Sequence, residues 1–267
     1  MGKLLKLQLK ENLKILLWIW LIPLALSTGF ILLNRNVDNT LTQVGLAISI
    51  FLLFFGLGAS LIIVIYQDYQ RFFGKEAIFY QSLPVAPGAN VWSRFFTYLI
   101  SFLLIVLVLF VDFWIISIAS GAFLLTDLKL SLDLIGESLR QVPLGYVISF
   151  ALLILTSLAF EIYDIILSIN LGSQKAFKSM GFFGPILMYV LLKVLLQVII
   201  LIVISQIRPG MDSYLAEISS APDPATFTEF MDLFGPIIYG VIGFNLVLTG
   251  IFAAISTYLQ NKKLSVG

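Results

Sequence analysis

Apolar residues gather in six long blocks along the chain, and the polar residues between them form short, clustered segments. The blocks run from about Ile15 to Leu33, Val44 to Tyr66, Phe95 to Leu125, Val142 to Ile169, Phe182 to Ile207 and Leu233 to Leu259. A helix needs roughly 20 apolar residues to cross a bilayer, so each block reads as a spanning helix. The third is too long for a straight crossing and must tilt or project beyond the membrane. The pattern predicts an all-α integral membrane protein with six transmembrane helices. With no internal repeat, low-complexity tract or linker, residues 1–267 read as a single membrane domain.

Composition agrees with this reading. Hydrophobic residues make up 60% of the chain, charged residues 12%, and the mean hydropathy is +1.03; a soluble domain carries about a quarter charged residues. The chain has neither cysteine nor histidine. That excludes disulfides, thiol nucleophiles and His-based metal sites or general bases. A net charge of +1 gives no ground for a nucleic-acid partner, so the distribution of charge has to carry the information. No small-residue cleavage site follows a short apolar core, and the first block reads as a retained helix.

Lysine and arginine set the expected orientation. With both termini cytoplasmic, eleven basic residues lie inside (Lys3, Lys6, Lys10, Lys14, Arg71, Lys75, Arg94, Lys175, Lys178, Lys262 and Lys263) against four outside (Arg35, Lys129, Arg140 and Arg208). Lys3, Lys6, Lys10 and Lys14 recur at helical spacing beside Leu5, Leu9 and Leu13. Residues 1–14 therefore read either as an amphipathic interface helix on the inner leaflet or as an ordinary basic flank. The outer segment 208–232 is acidic, and its Ala221-Pro222-Asp223-Pro224 break predicts two short helical pieces.

Two features call for more than topology. Residues 67–94 form a twenty-eight-residue inside segment, although a bare connection between antiparallel helices needs only a few. Within it Phe72, Phe73, Glu76, Phe79 and Tyr80 fall at helical spacings, and Pro84 and Pro87 are expected to stop the helix. Such a helix can rest its aromatics on lipid headgroups or insert them into a partner's cleft. The second feature is a set of charges inside apolar blocks, Asp112, Glu161, Asp164 and Lys193, where an unpaired charge is costly. Glu161 and Lys193 lie roughly 21 to 23 Å from the inner flank on consecutive antiparallel helices, which predicts that they pair. Asp112 is the alternative partner. Such a pair holds helices together, or forms a polar patch on a substrate path or at a moving subunit interface. Gly56, Gly58 and Ser60, and Gly240, Gly243 and Gly250, read as sites of close helix packing.

The stretch FFGKEAIFYQSLPVAPGANVWSRF resembles the segment after the second span of ABC-2 type permeases of Gram-positive bacteria, commonly YGKEGYLTLTLPVS followed by a basic residue. Phe73 stands for the Tyr; Gly74, Lys75 and Glu76 match, as do Leu83, Pro84 and Val85, and Arg94 takes the basic position. Ala77 replaces the usual Gly, and Tyr80 and Ser82 stand where Thr is usual. A second stretch, YDIILSINLGSQKAFKSMG at residues 163–181, is similar to the family's pattern at the inner end of span four. The resemblance implies a cytoplasmic coupling helix that seats Phe72, Phe73, Gly74, Lys75, Glu76, Phe79 and Tyr80 against an ABC ATP-binding subunit. It also implies two copies of that ATPase, a second permease copy or paralogue, a lipid environment, and the plasma membrane of a bacterium. The chain lacks a GxxxxGK[ST] phosphate loop, so no cofactor is expected on it and ATP and Mg belong to the partner ATPase. It is not expected to be an enzyme, lacking His, Cys and any clustered nucleophile and base. The expected role is export of an amphipathic cargo, foremost a peptide toxin or antimicrobial peptide. A drug or lipid exporter and a non-transporting scaffold or sensor subunit are the alternatives.

Overall fold

The computed structural model describes residues 2–36, 40–83, 85–120, 136, 143–220 and 227–264. Seven α-helices and no strand occur among them, and six of the helices are long and apolar enough to cross a membrane. The chain divides into two compact units, residues 1–137 and 138–267, at a point where the sequence pattern offers no boundary.

The first unit contains α1 (Gly2–Asn36), α2 (Thr40–Phe72), α3 (Ala77–Ser82) and α4 (Pro87–Ser120). Helix α1 packs against both α2 and α4, and α3 sits on α2. The inward face of α1 carries Leu4, Gln8, Asn12, Leu16, Trp20, Pro23, Ser27 and Ile31. Their spacing of three and four residues is that of one helix face. Lys3, Lys6, Lys10 and Lys14 project from the opposite, exposed face. Residues 2–14 are thus the first turns of the first spanning helix rather than a separate helix, and their inward face is held by protein. Higher up, the Trp20 indole donates to Ser60 Oγ at 2.8 Å, and Ser60 Oγ donates to the Gly56 carbonyl at 2.7 Å. Small residues admit the helices at this crossing: a Cβ on Gly56 would stand 3.3 Å from the Ile19 carbonyl oxygen. Gly58 takes no part in it, since a Cβ there would meet open space.

The aromatic segment is built as two pieces, not one helix. The Tyr69 carbonyl accepts from both Phe73 N and Gly74 N, closing α2, and Glu76 N turns back to the Gln70 carbonyl at 3.2 Å. A Cβ on Gly74 would overlap Gln70. The chain then restarts as α3. Phe72 therefore belongs to the last turn of α2 and Tyr80 to α3. Pro87 does not stop a helix but opens α4, at the position where its missing N–H costs nothing.

The second unit contains α5 (Leu144–Gly172), a 3₁₀ turn (Lys175–Met180), α6 (Phe183–Ser220) and α7 (Phe227–Leu264). Helix α5 packs on both α7 and α6. Asn245 Nδ2 donates to Ser157 Oγ at 2.9 Å, and Phe252 stacks near Phe160 at 5.7 Å between ring centres, joining α7 to α5. The α5–α6 corner depends on glycine: a Cβ on Gly172 would overlap the backbone of Gly184 and Pro185, and Gly181 adopts φ of +56°. Gly240, Gly243 and Gly250 have open space where a Cβ would stand, so they are not close-approach sites among the described residues. The acidic segment 208–232 is mostly helix, α6 reaching Ser220 and α7 starting at Phe227. Its proline break, residues 221–226, lies outside the described residues.

Candidate functional site

Helix α3 presents two faces of different character. Inward, Tyr80 packs with Leu4 and Phe72 in a small buried cluster lined by Leu7, Phe73, Leu83 and Val85. Outward, Ile78 is 86% exposed and Phe79 is 55% exposed, with Lys75 and Glu76 exposed beside them. The seven residues expected at a partner contact are therefore split. Lys75, Glu76 and Phe79 face out, Phe73 is half-buried, Gly74 forms the turn, and Phe72 and Tyr80 are buried and serve to seat α3. Ile78 is the outward knob that sequence reading passed over. Its six-residue helix has no side-chain cap at Glu76, so α3 is held mainly by its packed face.

A polar network lies beneath that face. Tyr80 Oη donates to Glu11 Oε2 at 3.0 Å, and the same oxygen accepts from Arg71 Nε at 3.1 Å. Arg71 Nη2 also donates to Asn12 Oδ1 at 2.6 Å, to the Gln8 carbonyl and to Gln67 Oε1, each of the latter at 3.2 Å. Gln8 Oε1 accepts from Thr97 Oγ1 at 2.7 Å and Ser93 Oγ at 3.1 Å, while Asn12 Nδ2 reaches Ser101 Oγ. One further step away, Arg94 grips Asp68 through Nη2 at 2.6 Å and through Nε at 3.0 Å to both carboxylate oxygens. Tyr98 Oη donates to Asp68 Oδ2 at 3.1 Å. The Arg94 guanidinium lies 4.9 Å from the centre of the Phe72 ring, a cation–π contact. Arg94 is 0% exposed. A buried arginine is tolerated only when paired and hydrogen-bonded, and a forked hold on one carboxylate is the strong form of that pairing. Burial, foremost, and the hydrogen bond to Glu11 hold the Tyr80 phenol well above the usual tyrosine range, with Arg71 opposing.

The network ties α1, α2, α3 and α4 together at the end that carries the N-terminal lysines. Sequence reading missed Gln8, Glu11, Asn12 and Asp68, and it used Arg71 as a topology marker and Arg94 as a topology marker and motif residue without assigning either a partner. The available signal was the four-residue repeat Leu4-Gln8-Asn12-Leu16, two amides set into an apolar stripe opposite the lysines.

The charges inside the apolar blocks also find definite places. Lys193 on α6 donates to Glu161 on α5 at 2.7 and 2.9 Å, the pairing that equal depth predicts. Its Nζ also forms an ion pair with Asp164 Oδ2 at 3.0 Å. Tyr189 Oη donates to Glu161 at 3.4 Å, and the Phe160 and Tyr189 rings each lie 5.2 Å from the ammonium. The Lys193 and Glu161 side chains are 33% and 44% exposed, whereas Asp164 is fully buried. Asp112 belongs to α4, is buried, and has no ion-pair partner among the described residues.

No group of three or more acidic residues with metal-holding geometry occurs among the described residues. Comparison with protein-family models, with curated proteins and with solved structures finds no match.

Proposed function

We propose that this chain is the transmembrane subunit of an ATP-driven ABC exporter, with α3 as the coupling helix that docks on a separate ATP-binding subunit. The observation that carries the reading is the division of α3: Ile78, Phe79, Lys75 and Glu76 stand outward on a short helix whose other face is fixed to α1 and α2. Exposed aromatic and aliphatic knobs ringed by charge are what a protein partner recognises. A helix that only rested on headgroups would not need its base packed on α1 and α2 and hydrogen-bonded to Glu11. On this reading the residues that meet the ATPase are Lys75, Glu76, Ile78 and Phe79, and ATP and Mg remain with the partner. Two ATPase copies and a second permease copy or paralogue complete the transporter. It sits in a bacterial plasma membrane with both termini cytoplasmic. The cargo is amphipathic, foremost a peptide, which suits the long apolar helices.

The test is capture of an ATP-binding subunit encoded beside this chain. Ile78→Asp and Glu76→Lys should lose the partner while the permease stays folded by thermal unfolding in detergent; undiminished capture by both variants removes α3 from the interface. ATPase activity that rises with a transported peptide favours an exporter over a scaffold subunit. Because the chain has no cysteine, a single cysteine placed at Ala221 reports topology directly. It should react with an impermeant reagent added to intact cells, and reaction only after lysis reverses the orientation.

A further inference from the structure

The cluster on α5 and α6 contains one base and two acids. Lys193 uses two hydrogen bonds on Glu161, the half-exposed acid, and forms an ion pair with Asp164 at 3.0 Å. Apart from that ion pair with Lys193, neither oxygen of Asp164 has a polar partner among the described residues, and both are shut off from solvent. With all three groups ionised the cluster would carry one uncompensated negative charge in an apolar block, where an isolated carboxylate is far more costly than a neutral carboxyl. The described residues of the surrounding elements supply no second cation. Helix α5 contributes Tyr163 next to Asp164, α6 contributes Tyr189 and Lys193, and α7 has no ionisable side chain in residues 240–257, the stretch that packs Asn245 and Phe252 onto α5.

We infer that the Lys193–Glu161–Asp164 cluster is a proton-binding site, with the proton held on the Asp164 carboxyl. Only a proton suits the place, since the Asp164 oxygens have no accessible surface for a larger ion. The exchange is a simple protonation: a carboxylate oxygen takes a proton, the O–H bond forms, and the cluster becomes neutral. Glu161 and Lys193 reach the unit's surface and hand the proton in and out. This inference stands independently of the partner assigned to α3.

Infrared spectroscopy of the full chain in lipid nanodiscs at neutral pH tests it through the protonated-carboxyl stretch. The background carries Asp112→Asn to remove the buried acid that has no ion-pair partner among the described residues. The parent should show a band equal to one carboxyl that shifts on ¹³C-aspartate labelling. Asp164→Asn should abolish it, and so should Glu161→Gln, because one acid then balances Lys193. Lys193→Met should double it. The ¹³C shift needs no change at the cluster and so serves even if a variant fails to fold. Absence of an aspartate-sensitive band in the parent overturns the inference. So does a band that survives in Asp164→Asn or Glu161→Gln, or one that Lys193→Met leaves unchanged.

Discussion

Two ion clusters, one in each unit and each holding a buried carboxylate, solve the same problem in different ways. Arg94 and Asp68 match charge for charge: a planar guanidinium forks onto one carboxylate, Tyr98 takes a remaining lone pair, and Phe72 covers the cation. Lys193 is a point charge shared between two carboxylates, with one of them fully hydrogen-bonded and the other left over. The first arrangement has no spare valence and fixes where α2 and α4 lie. The second has one charge too many and can exist in two protonation states. Balance marks a joint, and imbalance marks a site that can respond.

The comparison is broken most severely at Arg94. Arg94→Leu strands the Asp68 carboxylate in a dry site, and loss of one partner of such a pair costs roughly 3 to 5 kcal/mol. Thermal unfolding in detergent should show it, and adding Asp68→Asn should recover a large part. Lys193→Met should cost less, about 1 to 3 kcal/mol, because its two acids can take up protons instead of remaining charged. A double-mutant cycle with Glu161→Gln should give clear coupling between the two positions. Equal losses at Arg94 and Lys193 would erase the distinction. Tyr80→Phe removes one hydrogen bond and keeps the ring packing, so a loss of about 1 kcal/mol is expected. Ile78→Asp comes last, within roughly 0.5 kcal/mol of the parent because the side chain is solvent-exposed. It is nonetheless the change expected to abolish ATPase capture, which separates holding α3 from using it.

The six spans were legible because hydropathy is a local property, readable in one window at a time. The Lys193–Glu161 pair was legible because two antiparallel neighbours share a depth scale set by the helix rise. The joint was not. Its bonds between helices link residues 26 to 89 positions apart, and Gln8, Asn12 and Asp68 look like ordinary polar flanks until the faces that meet are known. The aromatic segment failed for a related reason. Helical spacing connected Phe72 to Tyr80, but Gly74 breaks the helix between them, and only the turn decides that Tyr80 faces in and Phe79 faces out. Asp164 was recognised as a buried charge, yet nothing in the sequence separates the acid that Lys193 grips from the one it merely touches.

The unbroken length of α1 has a mechanical consequence. From Gly2 to Asn36 the helix is a rod of about 52 Å, well beyond the roughly 30 Å of a hydrocarbon core. On the proposal that α3 docks on an ATPase, a pull on α3 would reach Glu11 through Tyr80, with the Trp20–Ser60 crossing as the fulcrum. The short arm from Glu11 to Trp20 measures about 14 Å and the long arm from Trp20 to Asn36 about 24 Å. A tilt that shifts α3 by a given distance therefore swings the far end of α1 by about 1.7 times as much, in the opposite direction. Pro23, which lacks a backbone donor three residues past the fulcrum, is where the rod would yield first.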